Sequence, residues 1–193
     1  MTYAPTLASA VWPANDRARL FRAVALCAAG SLVLALSAKI QVPFYPVPMT
    51  LQTLVVLLLG AALGARLAAA TVALYLIEGL LGLPVFAGAV AGPVYMAGPT
   101  GGFLVGFLAA AALTGFIADR RWDRSWIRLL VSLSLGHAMV FAFGFLWLAE
   151  LVGAQKAFAA GVAPFALATI VKTLLAVALV GAARSALERT GRA

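Results

Sequence analysis

The sequence predicts an all-α integral membrane protein: six transmembrane helices in a compact bundle, with an irregular Gly/Pro-rich extracytoplasmic loop between the third and the fourth. Three observations carry this prediction. Of the 193 residues, 64% are hydrophobic and only 10% charged, against about 25% charged in a soluble domain. A helix needs about 20 apolar residues to cross the hydrocarbon, and turn residues divide the chain into six runs near that size. Finally, the basic residues segregate. With the runs threaded alternately, Arg17, Arg19, Arg22, Arg66, Arg120, Arg121, Arg124, Arg128, Arg184, Arg189 and Arg192 fall on one side, Lys39 and Lys156 on the other, and Lys172 within the membrane. Basic residues collect on the cytoplasmic side, so both termini are expected there, with the chain a single multi-pass domain of the cytoplasmic (inner) membrane.

Each element follows from its punctuation. Residues 1–19 are polar, hold Pro5 and Pro13, and read as a cytoplasmic tail. The first crossing spans about 20–38. Pro43, Pro46 and Pro48 then enforce an extended connection, and Pro48 suits the first turn of a second crossing over about 49–65. Gly64 and Arg66 mark a tight turn into the third, about 67–81, with Glu78 near its far end. From Gly82 to Phe103, Pro84, Pro93 and Pro99 among repeated glycines exclude a continuous helix, yet no residue is charged. Irregular backbone at membrane depth survives only where protein buries it or a cavity lies beside it, so this loop is expected to be the lid or wall of a binding cavity. The fourth crossing covers about 102–118, the fifth about 125–151 after the polar loop 119–124, and the sixth about 162–183 beginning at Pro164. A connection containing Lys156 and a basic tail over 184–193 complete the chain.

Composition also excludes function classes. The net charge of +8 is explained by membrane insertion and needs no nucleic acid. The single cysteine, Cys27, can form neither an internal disulfide nor a Cys-based metal cluster. There is no P-loop, metal-ligand cluster or catalytic constellation, so no enzyme, cofactor or metal is expected.

Lys172 is the most informative residue, because an ammonium within a span costs at least ~2.5 kcal/mol and marks a substrate or ion site by default. It either ties two helices together through Glu78 or Glu150, or serves as counter-ion for an anionic ligand. Glu78 itself has three readings: partner of Lys172, acceptor for a ligand's N–H groups, or a solvated end charge. Thr169 lies one helical turn before Lys172 on the same face. Gln52, Tyr95 and Thr100, with Thr50, Thr53 and Tyr75, offer neutral donors and acceptors. Tyr45, Phe86 and Tyr95, with Phe44 and Phe103, supply apolar walls or interfacial packing. His137 is either a neutral histidine bonded across helices or a proton carrier. Ala25 and Ala29 on the first crossing have the four-residue spacing that lets helices approach closely.

Four ordered blocks resemble the BioY family of biotin transporters, the substrate-binding S components of energy-coupling-factor (ECF) importers. They are Pro46-Val47-Pro48-Met49-Thr50-Leu51-Gln52-Thr53, Gly82-Leu83-Pro84-Val85-Phe86-Ala87-Gly88, Gly98-Pro99-Thr100-Gly101-Gly102-Phe103, and Lys172 in the last crossing. The resemblance covers about 20–183. It implies high-affinity capture of biotin from outside the cell and uptake energised by a separate transmembrane coupling protein and ATPase subunits. It also implies that Ala25 and Ala29 face the coupling protein. Family members often carry Gly-Asp-x-x-Lys where this chain reads Ala168-Thr169-Ile170-Val171-Lys172, which leaves Glu78 to supply the carboxylate or Thr169 to act as a neutral partner. Two alternatives remain at this stage: an S component for another vitamin, and a proton-coupled small-acid carrier using His137 and Glu78.

Overall fold

The computed structural model describes residues 7–8, 18–121 and 125–190. Its principal elements are helices, here numbered in chain order. They are α1 (Arg19–Lys39), α2 (Gln52–Leu63), α3 (Ala65–Leu80), α4 (Pro93–Ala97), α5 (Gly101–Asp119), α6 (Trp126–Val152), α7 (Ala154–Gly161) and α8 (Ala166–Arg189), with a 3-10 turn at Ala163–Phe165 before α8. Between α1 and α2 run two short strands, β1 (Gln41–Val42) and β2 (Met49–Thr50), paired antiparallel with Gln41 opposite Thr50 and Val42 opposite Met49.

By length and apolar composition four stretches can cross a membrane: Arg19–Lys39, Gly101–Asp119, Trp126–Val152 and Ala154–Arg189. The shorter α2 and α3 have 12 and 16 residues. At ~1.5 Å per residue they reach ~18 and ~24 Å, less than the ~30 Å hydrocarbon core. Gly64, at φ 79°, ends α2 and caps α3. A side chain is disfavoured in this backbone conformation, and glycine makes the tight reversal possible.

At the centre stands α5, packed most extensively against α6 and also against α2 and α3, while α1 lies on α3 and α8 on α6 and α2. Small residues allow the tightest of these contacts. A methyl group added at Gly106 would stand 2.9 Å from both the Cα and the carbonyl oxygen of Val140, so the α5 and α6 backbones touch there directly. Large apolar side chains such as Leu20, Leu32 and Leu36 on α1, and Ile170, Val171 and Leu174 on α8, are exposed on the outside of the bundle, the arrangement a lipid solvent favours.

The helix boundaries depart from the sequence expectation in four places. Pro48 does not open a helix, because Met49 and Thr50 pair with β1 and the Leu51 N–H donates to the Ile40 carbonyl; the second helix therefore starts at Gln52. Within the Gly/Pro segment lies the short helix α4, with Pro93 at its first position. The connection containing Lys156 is helical, forming α7. The expected tail from Arg184 continues α8 as far as Arg189. Most of the expected N-terminal tail, and Trp122 to Arg124 of the polar loop, lie outside the described residues.

Candidate functional site

A cavity opens at the end of the bundle where the β1–β2 connection and the Gly/Pro segment meet. Its walls come from Val47, Pro48, Thr50, Gln52 and Thr53 before and within α2, from Ala87, Tyr95 and Thr100 of the segment, from Phe103, Leu104 and Phe107 of α5, from Val140 and Phe141 of α6, and from Phe165, Thr169 and Lys172 at the start of α8. It leaves about 40 Å³ of room for water-sized groups, or about 530 Å³ of space between atoms once its open mouth is counted. The walls thus stand close together. A larger hollow of about 370 Å³ adjoins it on the outside, between Phe44, Pro46 and Pro48 on one flank and Val90, Val94 and Tyr95 on the other. Pro48, Ala87, Tyr95 and Thr100 line both spaces and so form the neck between them.

Lys172 lies about two turns into α8. Its Nζ donates to the Thr50 carbonyl at 2.7 Å and to the Thr53 hydroxyl at 3.2 Å. Both partners are neutral oxygens, so the expected tie to Glu78 or Glu150 is not how this lysine is held. An ammonium has three donors, which leaves one for the cavity. Around it the polar inventory is uncharged. Thr50 donates its hydroxyl to Gln52 Oε1 at 3.2 Å, and Gln52 Nε2 donates to the Tyr75 hydroxyl at 2.7 Å. Tyr75 in turn donates to the Val85 carbonyl at 3.1 Å, tying the cavity wall to the Gly/Pro segment. Thr169 lines the same cavity as Lys172. Burial pushes the Tyr95 phenol above its ordinary pKa, against smaller opposing influences from Thr100 and the Ala87 backbone, so it stays a neutral donor at physiological pH.

The sequence-predicted residues divide accordingly. Lys172, Thr169, Gln52, Tyr95 and Thr100 converge on the cavity. Phe86 does not line it. Fully buried behind the neck, it stacks on Tyr95 with ring centroids 4.9 Å apart and meets Tyr75 edge-on at 5.5 Å. Tyr45 is 94% exposed and lines neither the cavity nor the outer hollow. Glu78 accepts a hydrogen bond from Ser31 of α1 and does not line the cavity, and so is not placed to substitute for an aspartate at Thr169. The ring of His137 packs between α6 and α8. Thr173 donates its hydroxyl to the Thr169 carbonyl at 2.8 Å and so accepts from His137 Nδ1 at 3.0 Å. His137 and Glu78 therefore sit at separate helix contacts, the first between α6 and α8 and the second between α1 and α3.

Phe107, Val140, Phe141 and Phe165 were not singled out by sequence. Apolar residues on a buried helix face look alike whether they meet a neighbouring helix or a cavity. Only Phe165 had a usable signal: it precedes Thr169 by four residues and Lys172 by seven, the spacing of one helical face.

Fold and cavity together define a helical membrane protein with a narrow, mostly apolar pocket at one end of the bundle, closed over by loops and supplied with one cation. The chain belongs to the BioY family, whose family model matches residues 9–189. Among curated relatives it is 40% identical to a probable biotin transporter BioY of Pyrococcus horikoshii over 154 residues, covering 80% of this chain and 91% of that protein. It is 36% identical to a biotin transporter BioY of Rhizobium etli over 168 residues, 82% and 89% of the two chains. Its fold resembles a crystal structure of the S-component for biotin from an ECF-type ABC transporter, with a TM-score of 0.74, 24% sequence identity, and coverage of 89% of this chain and 95% of that one.

Proposed function

We infer that this protein binds biotin with high affinity from the outer face of the cytoplasmic membrane and carries it inward as the substrate-specific subunit of a vitamin importer. One observation carries the inference beyond family membership: Lys172, the only cation among the described residues that line the cavity, is fixed by neutral partners with a donor to spare, in a pocket otherwise apolar or uncharged. Biotin offers a carboxylate, a ureido group with two donors and one acceptor, and an apolar thiophane with its alkyl chain. Such a ligand is suited by a mostly apolar pocket with few fixed polar groups. Lys172 presents its free N–H to an acceptor oxygen of the ligand. Gln52, Thr50, Thr53, Thr100, Tyr95 and Thr169 complement the remaining polar edge, and Phe103, Phe107, Phe141 and Phe165 enclose the ring.

The free room in the cavity is far below the ~300–1,000 Å³ typical of small-molecule sites. Entry therefore requires the neck to part, and its closing again would expel water and strengthen each polar contact. In this reading the chain crosses six times as a single domain, α2 and α3 lying in a locally thinned or protein-lined part of the bilayer. Both termini are cytoplasmic, and the cavity opens outward. Without a P-loop of its own, it depends on a transmembrane coupling protein and ATPases for energy. The outer flank of α1, where Ala29 is exposed and Ala25 half-buried, is the surface offered to that coupling protein.

Titration of detergent-purified protein with labelled biotin tests the reading. Biotin should bind and raise the unfolding temperature, whereas thiamine and riboflavin should not. At about 100 times the dissociation constant a ligand adds roughly 2.7 kcal/mol of stability, well above detection. Stabilisation by another vitamin in place of biotin would assign the chain a different cargo. Comparing biotin with its carboxamide identifies which end faces Lys172: equal affinity places the ureido carbonyl there, and a loss places the carboxylate.

A further inference from the structure

Lys39 ends α1 on the outer side, and sequence reasoning gave it no role beyond topology. In the structure its Nζ reaches across to the Gly/Pro segment and donates to two backbone carbonyls, Phe86 at 2.7 Å and Gly88 at 3.1 Å. Between those residues lies Ala87, which lines both the cavity and the outer hollow. We propose that Lys39 is the latch of the lid: a positioning residue that holds residues 85–88 closed over the cavity and thereby sets how fast the ligand enters and leaves. The proposal rests on the biotin-binding reading above but deepens it, because no contact between Lys39 and ligand is involved.

The surrounding geometry makes this strap a movable part with few fasteners. Beneath it, Phe86 is wedged between Tyr75 and Tyr95 and against Gly79, where any Cβ would collide with the Phe86 ring. From the inner side the Tyr75 hydroxyl holds it at the Val85 carbonyl, and the Tyr95 phenol meets the Ala87 backbone. Further along, the Gly92 N–H donates to the Gly79 carbonyl at 2.8 Å, and Trp147 Nε1 donates to the Gly98 carbonyl at 2.9 Å. Both contacts lie beyond the stretch that covers the cavity. Gly88, itself one of the latched residues, at φ 80° with open space around it, permits the chain to pivot at the end of the strap. The opposite flank of the mouth lacks this freedom, because Thr50 is bonded both to β1 and to Lys172. Opening is therefore a motion of the Phe86 side, and Lys39 supplies the only side-chain cation among the described residues that bonds to it.

The test uses the full-length protein in detergent with Lys39→Met, which keeps the stem and removes the donors, and Lys39→Arg, which restores donation. Because Lys39 is largely exposed, water replaces much of each lost bond, so the expected rise in the biotin dissociation rate is roughly three- to tenfold. Association should be unchanged or faster, and the number of binding sites per protein preserved. A second readout needs no ligand: in a Cys27→Ser background carrying Ala87→Cys, maleimide labelling should quicken several-fold with Lys39→Met and return toward the parent rate with Lys39→Arg. Wild-type dissociation and labelling rates in Lys39→Met would overturn the proposal, as would fewer binding sites with an unchanged dissociation rate, the mark of a merely structural role. If the parent protein does not bind biotin, the functional reading fails while labelling still decides the latch.

Discussion

Replacing Lys172 with methionine isolates the charge from the packing. Methionine fills nearly the same slot along α8 but cannot donate, so three things change at once: the ligand loses its only cationic partner in the cavity, and the Thr50 carbonyl and Thr53 hydroxyl lose theirs. A hydrogen bond from a charged group is worth about 1.5–3 kcal/mol net. At ~1.4 kcal/mol per factor of ten, this weakens biotin binding by roughly 10- to 150-fold. The ligand-free protein should lose little stability. Removing the lysine also removes the cost of desolvating an ammonium, which offsets the loss of its two hydrogen bonds. Isothermal titration measures the first quantity and thermal unfolding without ligand the second. Arginine should not rescue binding, because its longer planar fork cannot keep the position that Thr50 and Thr53 define. A Lys172→Met protein that binds biotin within twofold of wild type would refute the assignment of this lysine to the ligand.

Three further outcomes can be checked in parallel. Gly79→Ala forces a methyl group into the Phe86 ring, so overpacking should destabilise the protein by about 1–3 kcal/mol and raise the biotin dissociation rate, seen by thermal unfolding and by chase kinetics. Glu78→Gln should leave biotin affinity within about twofold, since Ser31 is its partner and the cavity lies elsewhere; a tenfold loss in titration would return Glu78 to the site. His137→Leu should preserve the rate and pH profile of biotin uptake in cells that supply the ATPase partners, because His137 is bonded to Thr173 and does not line the cavity. Abolished uptake by a folded variant would favour proton coupling.

Much of this architecture could be read in the residues because lipid imposes a coarse rule. Apolar runs, and the prolines and glycines that end them, marked out an all-helical chain, in which four stretches are long and apolar enough to cross a membrane. The rule fails where a local bond outweighs it. Pro48 was a sound helix start by its missing N–H, but β1 offered Met49 and Thr50 a strand partner instead. Helix α7 carries Gln155 and Lys156 between glycines, so its polarity resembled a connection. For the site, residue type identified which side chains could serve but not which way they point. Thr169 and Lys172 line the same cavity because both lie on one helix. Glu78 and Tyr45 were misplaced because their directions depend on how α3 packs on α1 and on the path of the turn at Pro46, neither of which leaves a trace in composition. Lys39 was overlooked for a related reason: backbone carbonyls 47 and 49 residues away have no sequence signature.

The hydrogen bond from Lys172 to the Thr50 carbonyl joins residues 122 positions apart, and that separation bears on biogenesis. During synthesis the early helices enter the bilayer well before the final one exists, and until it arrives the pocket lacks both its cation and one wall. In the reading proposed above, a fragment that ends before α8 would lack both that cation and that wall, so the complete pocket is assembled only at the end of translation.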